Sequence, residues 1–352
     1  MIDMRSDTLT KPSEQMREVM RTAIVGDDCY GEDVSVNNLE EYCKELFEVE
    51  AALFVPSGTM ANQIAIKAQV EEGNEILTEA NYHINFYESA STAILSRAVL
   101  NCVRKSDGII NKSDVQELIN SKPRGPLYSK PQLVTIENTI NYYQGKTFPL
   151  ETIKDLYNYT RNIGISLHMD GARLFNAHIA TGIPLNEYAR NVDTLSVCFA
   201  KGLGAPFGSM LMGSEKFINS ARSIRKQFGG GLHQIGMYAS AAQYALDYHL
   251  IQIKKDHQLT KEMAIMLNEI PKIAIDIDSI ETNMIFINIK SLTSNVSEFI
   301  KLCEDKGLLI FPWLPGIVRI VINRHISRED IYKATEIIDI VVNKLSGRVV
   351  HA

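Results

Sequence analysis

The sequence lacks the features that mark secreted, membrane-spanning and nucleic-acid-binding proteins. Its five cysteines are widely spaced and include no CxxC pair, which favours reduced thiols in the cytoplasm over a disulfide framework or a zinc site. Lysine and arginine form no basic run and the net charge is −6, so no nucleic-acid partner is expected. No apolar run approaches the roughly 20 residues that span a bilayer, and the polar start, MIDMRSDTLTKPS, is not expected to be a signal peptide.

The 352 residues are sufficient for a large and a small domain, because 45% of them are hydrophobic. Short apolar strands alternate with helical patterns in the first two-thirds of the chain, and the helical stretches at 60–73 and 150–164 each end in a glycine. This alternation predicts an α/β fold with a mostly parallel sheet and helices on both faces. The candidate strands are residues 51–55, 75–79, 98–103, 132–137, 166–170, 194–199 and 209–213.

The pattern changes after about residue 215. A long helical region precedes a small α+β pattern, whose candidate strands are residues 283–289, 308–313 and 317–322. We therefore predict three parts, an N-terminal arm at 1–45, a large domain at 46–250 and a small C-terminal domain at 251–352. The arm contains helical sequence, but little of the core is expected to come from it.

A single lysine, Lys201, stands between an apolar run and a glycine-rich turn in SVCFAKGLGAPFG at 196–208. Lysine is rarely buried unless its charge is paired or removed. One interpretation is a strand-end lysine whose ammonium reaches water along its apolar stem. The other is a lysine that forms an imine with a carbonyl cofactor, and this segment alone does not decide between them.

The segment FVPSGTMANQ at 54–63 joins a predicted strand to a predicted helix through a short turn. Gly58 allows backbone amides to approach an anion closely, and Ser57 and Thr59 supply hydroxyl groups. The start of the helix adds unpaired amides and a favourable dipole, so the turn is a candidate phosphate site. The alternative is an ordinary helix capped by a serine or threonine.

Three further polar side chains lie at or just after predicted strands. Asp170, in LHMDGARLFNA, could hold the protonated nitrogen of a heteroaromatic ring, and Arg173 could grip a substrate carboxylate in the same cavity. His83, in NYHINFYES, could stack on a planar ring and move protons. The alternatives are a structural pair of Asp170 with Arg173 and a histidine that packs without a chemical role.

These positions combine into one interpretation. A phosphate cradle, an aspartate and a lysine follow three different predicted strands, in that order along the chain. Pyridoxal 5′-phosphate has a partner for each, because its phosphate suits the turn at 57–59, its pyridine nitrogen suits Asp170 and its aldehyde suits Lys201. The sequence therefore predicts an enzyme that uses this cofactor.

Longer motifs extend over nearly the whole chain. They are DMRSDTLTKP at 3–12, VGDDCYGED at 25–33, ALFVPSGTMANQ at 52–63, ENT at 137–139, HMDGARLFNA at 168–177, SVCFAKGLGAPFGS at 196–209, RKQFGGG at 225–231 and VRIV at 318–321. With these motifs the chain resembles the low-specificity L-threonine aldolases of the β-eliminating lyase family. The resemblance implies an aspartate-aminotransferase-like fold of type I, with a mostly parallel seven-stranded sheet in the large domain and a small α+β C-terminal domain. It also implies a homodimer or homotetramer with active sites at subunit interfaces.

The resemblance implies roles for individual residues as well. Lys201 would be the Schiff-base lysine, Asp170 would pair with the pyridine nitrogen and His83 would stack on the ring. The cofactor-binding residues would be Lys201, Asp170, His83, Ser57, Gly58, Thr59, Arg173, Arg225 and Lys226. The substrate-binding residues would be Ser6, Arg173, Arg319 and Tyr30, with Asp33 also near the site. Arg225 and Lys226 would approach the phosphate from a neighbouring subunit, unless the glycines at 229–231 only shape a loop.

The sequence departs from the family pattern near the substrate side chain. Ile140 follows ENT where the family usually has a histidine, and Leu127 or Tyr128 stands near the place of a second histidine. His233 replaces a common arginine. The residues for the cofactor are intact, but the motifs alone do not identify the catalytic base or the preferred substrate.

The predicted reaction is carbon–carbon cleavage of a 3-hydroxy-L-amino acid, of the threonine or allo-threonine type, to glycine and an aldehyde. Arg173 and Arg319 would fix the substrate carboxylate, and His83 would remove the hydroxyl proton directly or through water. One alternative is β-elimination, transaldol exchange, racemisation or transamination on the same scaffold. The other is a protein that binds the cofactor without turnover. No metal ion is predicted.

Overall fold

The computed structural model of the chain describes residues 1–123 and 125–347. Its strands are β1 (Ile2–Asp3), β2 (Ala51–Val55), β3 (Glu75–Glu79), β4 (Val99–Val103), β5 (Pro131–Glu137), β6 (Ser166–Gly171), β7 (Thr194–Cys198), β8 (Ser209–Gly213), β9 (Met284–Asn288), β10 (Leu308–Leu309), β11 (Phe311–Leu314) and β12 (Ile317–Val321). Its α-helices are α1 (Glu14–Arg21), α2 (Val34–Phe47), α3 (Gly58–Gln69), α4 (His83–Phe86), α5 (Lys112–Asn120), α6 (Leu150–Asn162), α7 (Leu174–Thr181), α8 (Leu185–Ala189), α9 (Glu215–Gln227), α10 (Gly236–Tyr248), α11 (Leu250–Asn268), α12 (Val296–Asp305) and α13 (Arg328–Ser346).

A seven-stranded sheet forms the centre of the larger part of the fold, in the order β2-β8-β7-β6-β5-β3-β4. The pairs from β7 to β4 are parallel, whereas β8 runs antiparallel to both β2 and β7. All five residues of β7 are buried, as expected for a short apolar strand that is covered on both faces. The prediction of a mostly parallel seven-stranded sheet is therefore confirmed.

A second apolar core lies towards the C-terminus. There β11, β12 and β9 form a three-stranded antiparallel sheet, and α11, α12 and α13 pack in the same region. Its buried residues form a cluster separate from that of the large sheet. The predicted small α+β part is thus present, while the domain boundaries at residues 45 and 250 remain predictions.

The first 45 residues contribute more to the core than the sequence predicts. α2 places Val36, Leu39 and Cys43 on one face, and all three side chains are fully buried. α1 packs on α10, and α2 packs on α10 and β2 of the same chain. The expectation of little core is wrong because the apolar spacing in α2 is that of an amphipathic helix.

Two boundaries also differ from the prediction. The run LLIFPW divides into β10 and β11, because β10 pairs with β1 and β11 pairs with β12. α3 ends at Gln69 rather than at Gly73, whose φ of 84° instead serves the turn that leads into β3. Within the described ranges, no helix combines the length and the apolar character needed to cross a bilayer.

The first ten residues cross from one part of the fold to the other. β1 pairs in parallel with β10, and the carbonyl of Met4 accepts the Val321 amide at 2.9 Å. Farther along, Thr10 Oγ1 donates to the carbonyl of Lys201 at 2.9 Å. Residues 2–10 therefore contact both the small sheet region and the edge of the large sheet where the polar residues collect.

Candidate active site

The residues that follow β2 and β7, and those at the end of β6, line a shared pocket of about 260 Å³. In open parallel sheets the carboxyl ends of the strands form the ligand-binding edge. The sequence-predicted residues that line it are Ser57, Gly58, Thr59, His83, Asp170 and Lys201. Folding therefore brings together side chains that lie far apart in the sequence.

Asp170 is a buried carboxylate near the end of β6. Its Oδ1 accepts the Ala172 amide at 3.0 Å, and its Oδ2 accepts Asn62 Nδ2 at 2.8 Å. Burial alone would raise the pKa of Asp170, but the charges of His83 and Lys201 and these two hydrogen bonds lower the pKa below its usual value. The group is therefore an ionised acceptor that can hold a protonated ring nitrogen.

The turn between β2 and α3 has the features of an anion cradle. Ser57 is the N-cap of α3 and its Oγ accepts the Met60 amide at 3.2 Å, so it caps the helix as one interpretation expects. The first amides of a helix have no intrahelical acceptor and are available to an anion. The buried Oγ of Ser209 has no hydrogen-bond partner among the described residues, and it lies 3.7 Å from where a Cβ on Gly58 would be. An anion at this turn would provide the acceptor that Ser209 lacks.

Lys201 follows β7 in a turn that fixes its backbone. Its carbonyl accepts the Gly204 amide at 2.8 Å and Thr10 Oγ1 at 2.9 Å. Gly204 has a φ of 76°, a left-handed conformation that favours glycine. The lysine side chain is half-buried and lines the same pocket as the Asp170 carboxylate.

A buried carboxylate, that of Glu88, holds His83. His83 Nδ1 lies 2.8 Å from Glu88 Oε1, and Glu88 is 3% exposed. Burial lowers the pKa of His83, but the hydrogen bond to Glu88 and the charges of nearby acidic groups raise it above the usual value. The carboxylate favours a proton on Nδ1, which leaves Nε2 as the ring nitrogen available to a ligand.

Asn62, on α3, connects the two acidic groups of the site. Its Nδ2 donates to Glu88 Oε1 at 3.0 Å and to Asp170 Oδ2 at 2.8 Å, and its Oδ1 lies 3.2 Å from His168 Nε2. Sequence reasoning missed both Asn62 and Glu88. The available signal for Asn62 was an amide within a helix that covers a buried sheet, because a buried amide needs polar partners.

Arg173 and Arg319 form a cluster, and neither is among the described residues that line the pocket. Arg173 donates from Nε and Nη2 to Asp7 at 2.8 and 2.7 Å, and both residues are buried. Arg173 Nη1 and Arg319 Nη1 both donate to Asn141 Oδ1, at 3.2 and 3.3 Å. Burial and the charge of Arg173 lower the pKa of Arg319 to about 10, and Arg319 Nε is buried without a partner in the described part of the chain. Arg319 Nε is therefore a donor that an anion could accept from.

Arg173 is arranged differently from the prediction. Two of its donors, Nε and Nη2, hold Asp7 and are not free for the predicted substrate carboxylate. Burial raises the pKa of Asp7, but the surrounding positive charges, chiefly that of Arg173, outweigh it and lower the pKa to about 2. Sequence reasoning did not single out Asp7, although it lies in the motif DMRSDTLTKP.

Glu137 is a further buried carboxylate that sequence reasoning did not single out. Its Oε2 accepts the His83 amide at 2.7 Å and its Oε1 accepts the Asn141 amide at 2.8 Å. Burial and the charge of Asp170 raise the pKa of Glu137 to about 7. Glu137 thus fixes the backbone of His83 and that of Asn141, whose side-chain oxygen accepts from both arginines.

Aromatic rings connect His83 to Arg319. The centroid of Tyr87 lies 5.5 Å from that of His83 and 5.8 Å from that of Trp313, with interplanar angles of 27° and 22°. The Arg319 guanidinium lies 4.3 Å from the Trp313 centroid, which is a cation–π contact. Ile140 is fully buried in the main core and supplies no polar side chain to this region.

The loop that was expected to reach the substrate lies at the surface. Leu127 is 89% exposed and Tyr128 is 41% exposed, and neither is among the described residues that line the pocket. Arg124, at the start of this loop, lies outside the described residues. His83 is the histidine in the described pocket lining.

Three predicted residues of the N-terminal segment do not line the pocket in the part of the chain that the structure describes. Ser6 Oγ accepts the Thr8 amide at 3.2 Å, and Tyr30 is 79% exposed. Asp33 is buried, caps α2 and accepts the Gly236 amide at 2.9 Å. Asp33 therefore joins α2 to α10 within the chain.

Arg225 and Lys226 are likewise outside the described pocket lining. Arg225 is buried, donates to the Phe54 carbonyl at 2.7 Å and pairs with Asp28 at 2.8 Å. Lys226 is exposed, and its Nζ lies 3.6 Å from Cys29 Sγ. Contact with the phosphate of a neighbouring subunit remains a prediction for both.

Comparison with known proteins agrees with this geometry. The Beta-eliminating lyase family model matches residues 3–290. The chain is 36% identical over 334 residues to a probable low-specificity L-threonine aldolase of Arabidopsis thaliana, covering 94% of each. It is 37% identical over 332 residues to the low specificity L-threonine aldolase of Escherichia coli K12, covering 94% of this chain and 96% of the relative.

Solved structures support the predicted fold. A threonine aldolase of Leishmania major superposes with a TM-score of 0.83 at 18% identity, covering 97% of this chain and 100% of that one. An aspartate aminotransferase double mutant of Thermus thermophilus superposes with a TM-score of 0.74 at 12% identity, covering 97% and 91%. The aspartate-aminotransferase-like fold of type I is therefore confirmed. The sequence matches and the geometry together show that the chain belongs to the β-eliminating lyase family, among the low-specificity L-threonine aldolases.

Proposed function

We propose that the chain is a pyridoxal 5′-phosphate-dependent aldolase that cleaves a 3-hydroxy-L-amino acid, of the threonine or allo-threonine type, to glycine and an aldehyde. One observation carries the proposal. The turn at 57–59, Asp170 and Lys201 line one pocket in a chain whose relatives are named L-threonine aldolases. Neither of the two relatives reported above is named for β-elimination, transaldol exchange, racemisation or transamination.

The pocket residues fit the cofactor on several sides. Lys201 would bind its aldehyde carbon, Asp170 its ring nitrogen, and the turn at 57–59 its phosphate. The fit is supported by the buried, ionised Asp170, which suits a positive partner, and by the Ser209 hydroxyl, which needs an acceptor. When bound, pyridoxal 5′-phosphate supplies an electron sink for the bond that breaks at the substrate Cα.

The arginine cluster is the proposed site of the substrate carboxylate. Arg319 Nε is its buried, unpartnered donor among the described residues, and Arg173 adds positive charge while Asp7 holds it in place. A carboxylate bound there restricts the rotation of the substrate about Cα. Such restriction decides which Cα bond is presented for cleavage, and for a 3-hydroxy amino acid we propose the Cα–Cβ bond.

His83 is the proposed base for the substrate hydroxyl. Because Glu88 holds Nδ1, the nitrogen that would receive the proton is Nε2. The raised pKa of His83 makes the neutral imidazole a better proton acceptor, although less of it is neutral at low pH. Ile140 and Leu127 bring no imidazole to the described pocket lining, which supports His83 in this role.

We further infer a homodimer or homotetramer in the cytoplasm. Exposed apolar side chains on the N-terminal segment, among them Ile24, Val25 and Tyr30, suit an interface between subunits. Tyr30 and Lys226 have the exposure that contact with a neighbouring site requires. All five cysteines are free, which supports a reducing compartment.

The test uses the full chain supplied with the cofactor and offered L-threonine, L-allo-threonine and phenylserine separately. We expect glycine and the matching aldehyde in equal amounts from at least one substrate, and neither product from Lys201→Ala. The wild type, but not this variant, should have visible absorbance that borohydride abolishes. Absence of aldehyde from all three substrates would exclude the aldolase, whereas absence of the borohydride-sensitive absorbance would exclude the cofactor.

A further inference from the structure

Three metal-ligating side chains meet outside the pocket. Asp27, Cys29 and His233 each offer one ligand atom, and these oxygen, sulfur and nitrogen atoms all lie within 4.8 Å of one another. His233 Nδ1 is 2.7 Å from Asp27 Oδ2. Within one chain, Cys29 and His233 are exposed and Asp27 is half-buried.

Backbone contacts hold the two segments together. The Asp28 amide donates to the His233 carbonyl at 3.1 Å, and the Cys29 amide donates to Asp27 Oδ1 at 2.8 Å. Next to them, the buried pair of Asp28 and Arg225 at 2.8 Å ties the segment to α9. The ligand atoms are therefore brought close by the fold rather than by flexible surface side chains alone.

The donor set selects a class of metal. Mg²⁺ and Ca²⁺ prefer oxygen ligands, whereas a thiolate, an imidazole and a carboxylate together suit Zn²⁺. Lys226 Nζ donates to Cys29 Sγ at 3.6 Å, and this hydrogen bond is compatible with coordination because the sulfur has further lone pairs. A water could complete the tetrahedral coordination that Zn²⁺ prefers.

We propose that Asp27, Cys29 and His233 form a surface binding site for Zn²⁺. Asp27 Oδ2, Cys29 Sγ and His233 Nδ1 are the ligand atoms, and a water takes the fourth position. Cys29 would bind the ion as a thiolate, and its proton would pass to solvent. None of the three ligands lines the pocket, so the inference does not rest on the proposed reaction.

The sequence did not indicate this zinc site, because its ligands do not follow a short, regular spacing. Cys29 has no cysteine partner nearby in the sequence, and His233 comes from the loop after α9. The bound ion would clamp that loop to the segment around Asp27. The same loop contacts the start of the pocket helix, because a Cβ on Gly230 would clash with Met60 Sδ at 2.2 Å.

The test is equilibrium dialysis of the cofactor-loaded protein against Zn²⁺ after treatment with a chelator, followed by elemental analysis. We expect the wild type to bind about one more zinc ion per chain than Cys29→Ser and His233→Asn. Cys102→Ser is the matched control, because it removes a half-buried thiol on β4 and should bind as the wild type does. Unchanged visible absorbance of the cofactor verifies that each variant is folded.

X-ray absorption at the zinc edge supplies the second readout. A sulfur neighbour at about 2.3 Å is expected for zinc bound to the wild type and should be missing in Cys29→Ser. Equal zinc content in the wild type and both variants would overturn the proposal, and so would bound zinc without a sulfur neighbour. Failure of the aldolase assay would leave both readouts unaffected, so the two proposals fail independently.

Discussion

At the scale of single residues, Asp7 both stabilises the fold and holds Arg173 of the proposed substrate site in place. Its fully buried carboxylate pairs bidentately with Arg173, whose remaining donor, Nη1, reaches Asn141. Removing one partner of a buried ion pair leaves an uncompensated charge in a poorly solvating environment. Asp7 is therefore expected to matter far more than an exposed acidic residue in the same segment.

We predict that Asp7→Asn lowers the free energy of unfolding by about 3–5 kcal/mol at neutral pH. Because the folded pKa of Asp7, about 2, is below the unfolded value near 3.8, its contribution is present above the unfolded value and is lost as the pH falls through the folded one. The difference between variant and wild type should therefore shrink from about pH 4 towards about pH 2. Urea unfolding of the cofactor-loaded proteins measures it.

Asp3→Asn is the matched control for that experiment. Asp3 pairs with Arg5 at 2.6 Å, but both side chains are substantially exposed to solvent. Exposed ion pairs contribute at most about 1 kcal/mol, so a small effect is expected. An equal loss in both variants would contradict the assignment of Asp7 as the critical carboxylate.

Glu88 is expected to control the pH dependence through His83. The neutral imidazole is the proposed base, so kcat/KM should fall as the pH drops through the raised pKa of His83. In Glu88→Gln the acceptor loses its charge, and burial then lowers the pKa. We predict that the acid limb of kcat/KM moves to lower pH and that the maximum falls by about tenfold, or about 1.4 kcal/mol.

Glu79→Gln is the comparison for Glu88→Gln. Glu79 is also a fully buried carboxylate, but it accepts the Asn81 amide and does not contact His83. Its substitution should leave the acid limb in place, even if the protein becomes less stable. If Glu88→Gln leaves the limb unmoved, His83 is not the group that titrates.

The chemistry-bearing residues were predictable from sequence only where a local pattern marks them. Lys201 and Asp170 could be found because each follows or ends an apolar strand, and such positions collect at one edge of a parallel sheet. Asp7 and Glu88 could not be assigned, because their partners lie in other elements and no spacing rule connects them. The ion pair between Asp7 and Arg173 was therefore not predicted.

At the scale of elements, the start of α3 combines a helix cap with an unpartnered hydroxyl from β8. Ser209 Oγ is buried, and no acceptor or donor among the described residues reaches it. A buried polar group without a partner destabilises the protein until a ligand satisfies it. Removal of this hydroxyl should therefore stabilise the cofactor-free protein but weaken its binding of the cofactor.

We predict that Ser209→Ala leaves the free energy of unfolding of the cofactor-free protein unchanged or raises it by up to about 1 kcal/mol. The same substitution should weaken cofactor binding by about tenfold, or about 1.4 kcal/mol, because a hydrogen bond to the phosphate is lost. Unfolding with urea and cofactor titration measure the two effects.

Ser96→Ala separates these two effects. Its hydroxyl is also buried and unpartnered among the described residues. Ser209 Oγ lies beside Gly58 of the turn at 57–59, whereas Ser96 lies just before β4. The Ser96→Ala variant should change the free energy of unfolding as Ser209→Ala does. It should bind the cofactor as tightly as the wild type does. Cofactor binding that is equally strong in Ser209→Ala and the wild type would remove Ser209 from the proposed phosphate site.

Elements were predicted better than their ends. Apolar runs such as the one that forms β7 were correctly read as strands, because continuous burial is typical of strands covered on both faces. The division of LLIFPW was not predictable, since it depends on pairing with β1 at the opposite end of the chain and with β12. Long-range pairing leaves little trace in the local sequence.

At the scale of the whole molecule, the exposed apolar residues on the N-terminal segment predict association. Static light scattering of the cofactor-loaded protein should give two or four times the chain mass of 39.5 kDa. Ile24→Glu should reduce that mass, because a charge would be buried in the interface. Ile251→Glu, at a similarly exposed isoleucine on α11, is the control. A monomeric wild type would contradict the inferred assembly.

Residues 2–10 can reach their final positions only after β10 and β12 have been synthesised. Met4, Asp7 and Thr10 leave the ribosome long before Val321, whose amide Met4 binds. These early residues must wait while most of the chain emerges. A nascent or nicked chain that ends before β10 can form most of the large sheet but has neither Arg319 nor the pairing that anchors its own beginning. Chains that end before β10 should therefore be inactive, and proteases should cleave them near residues 2–10.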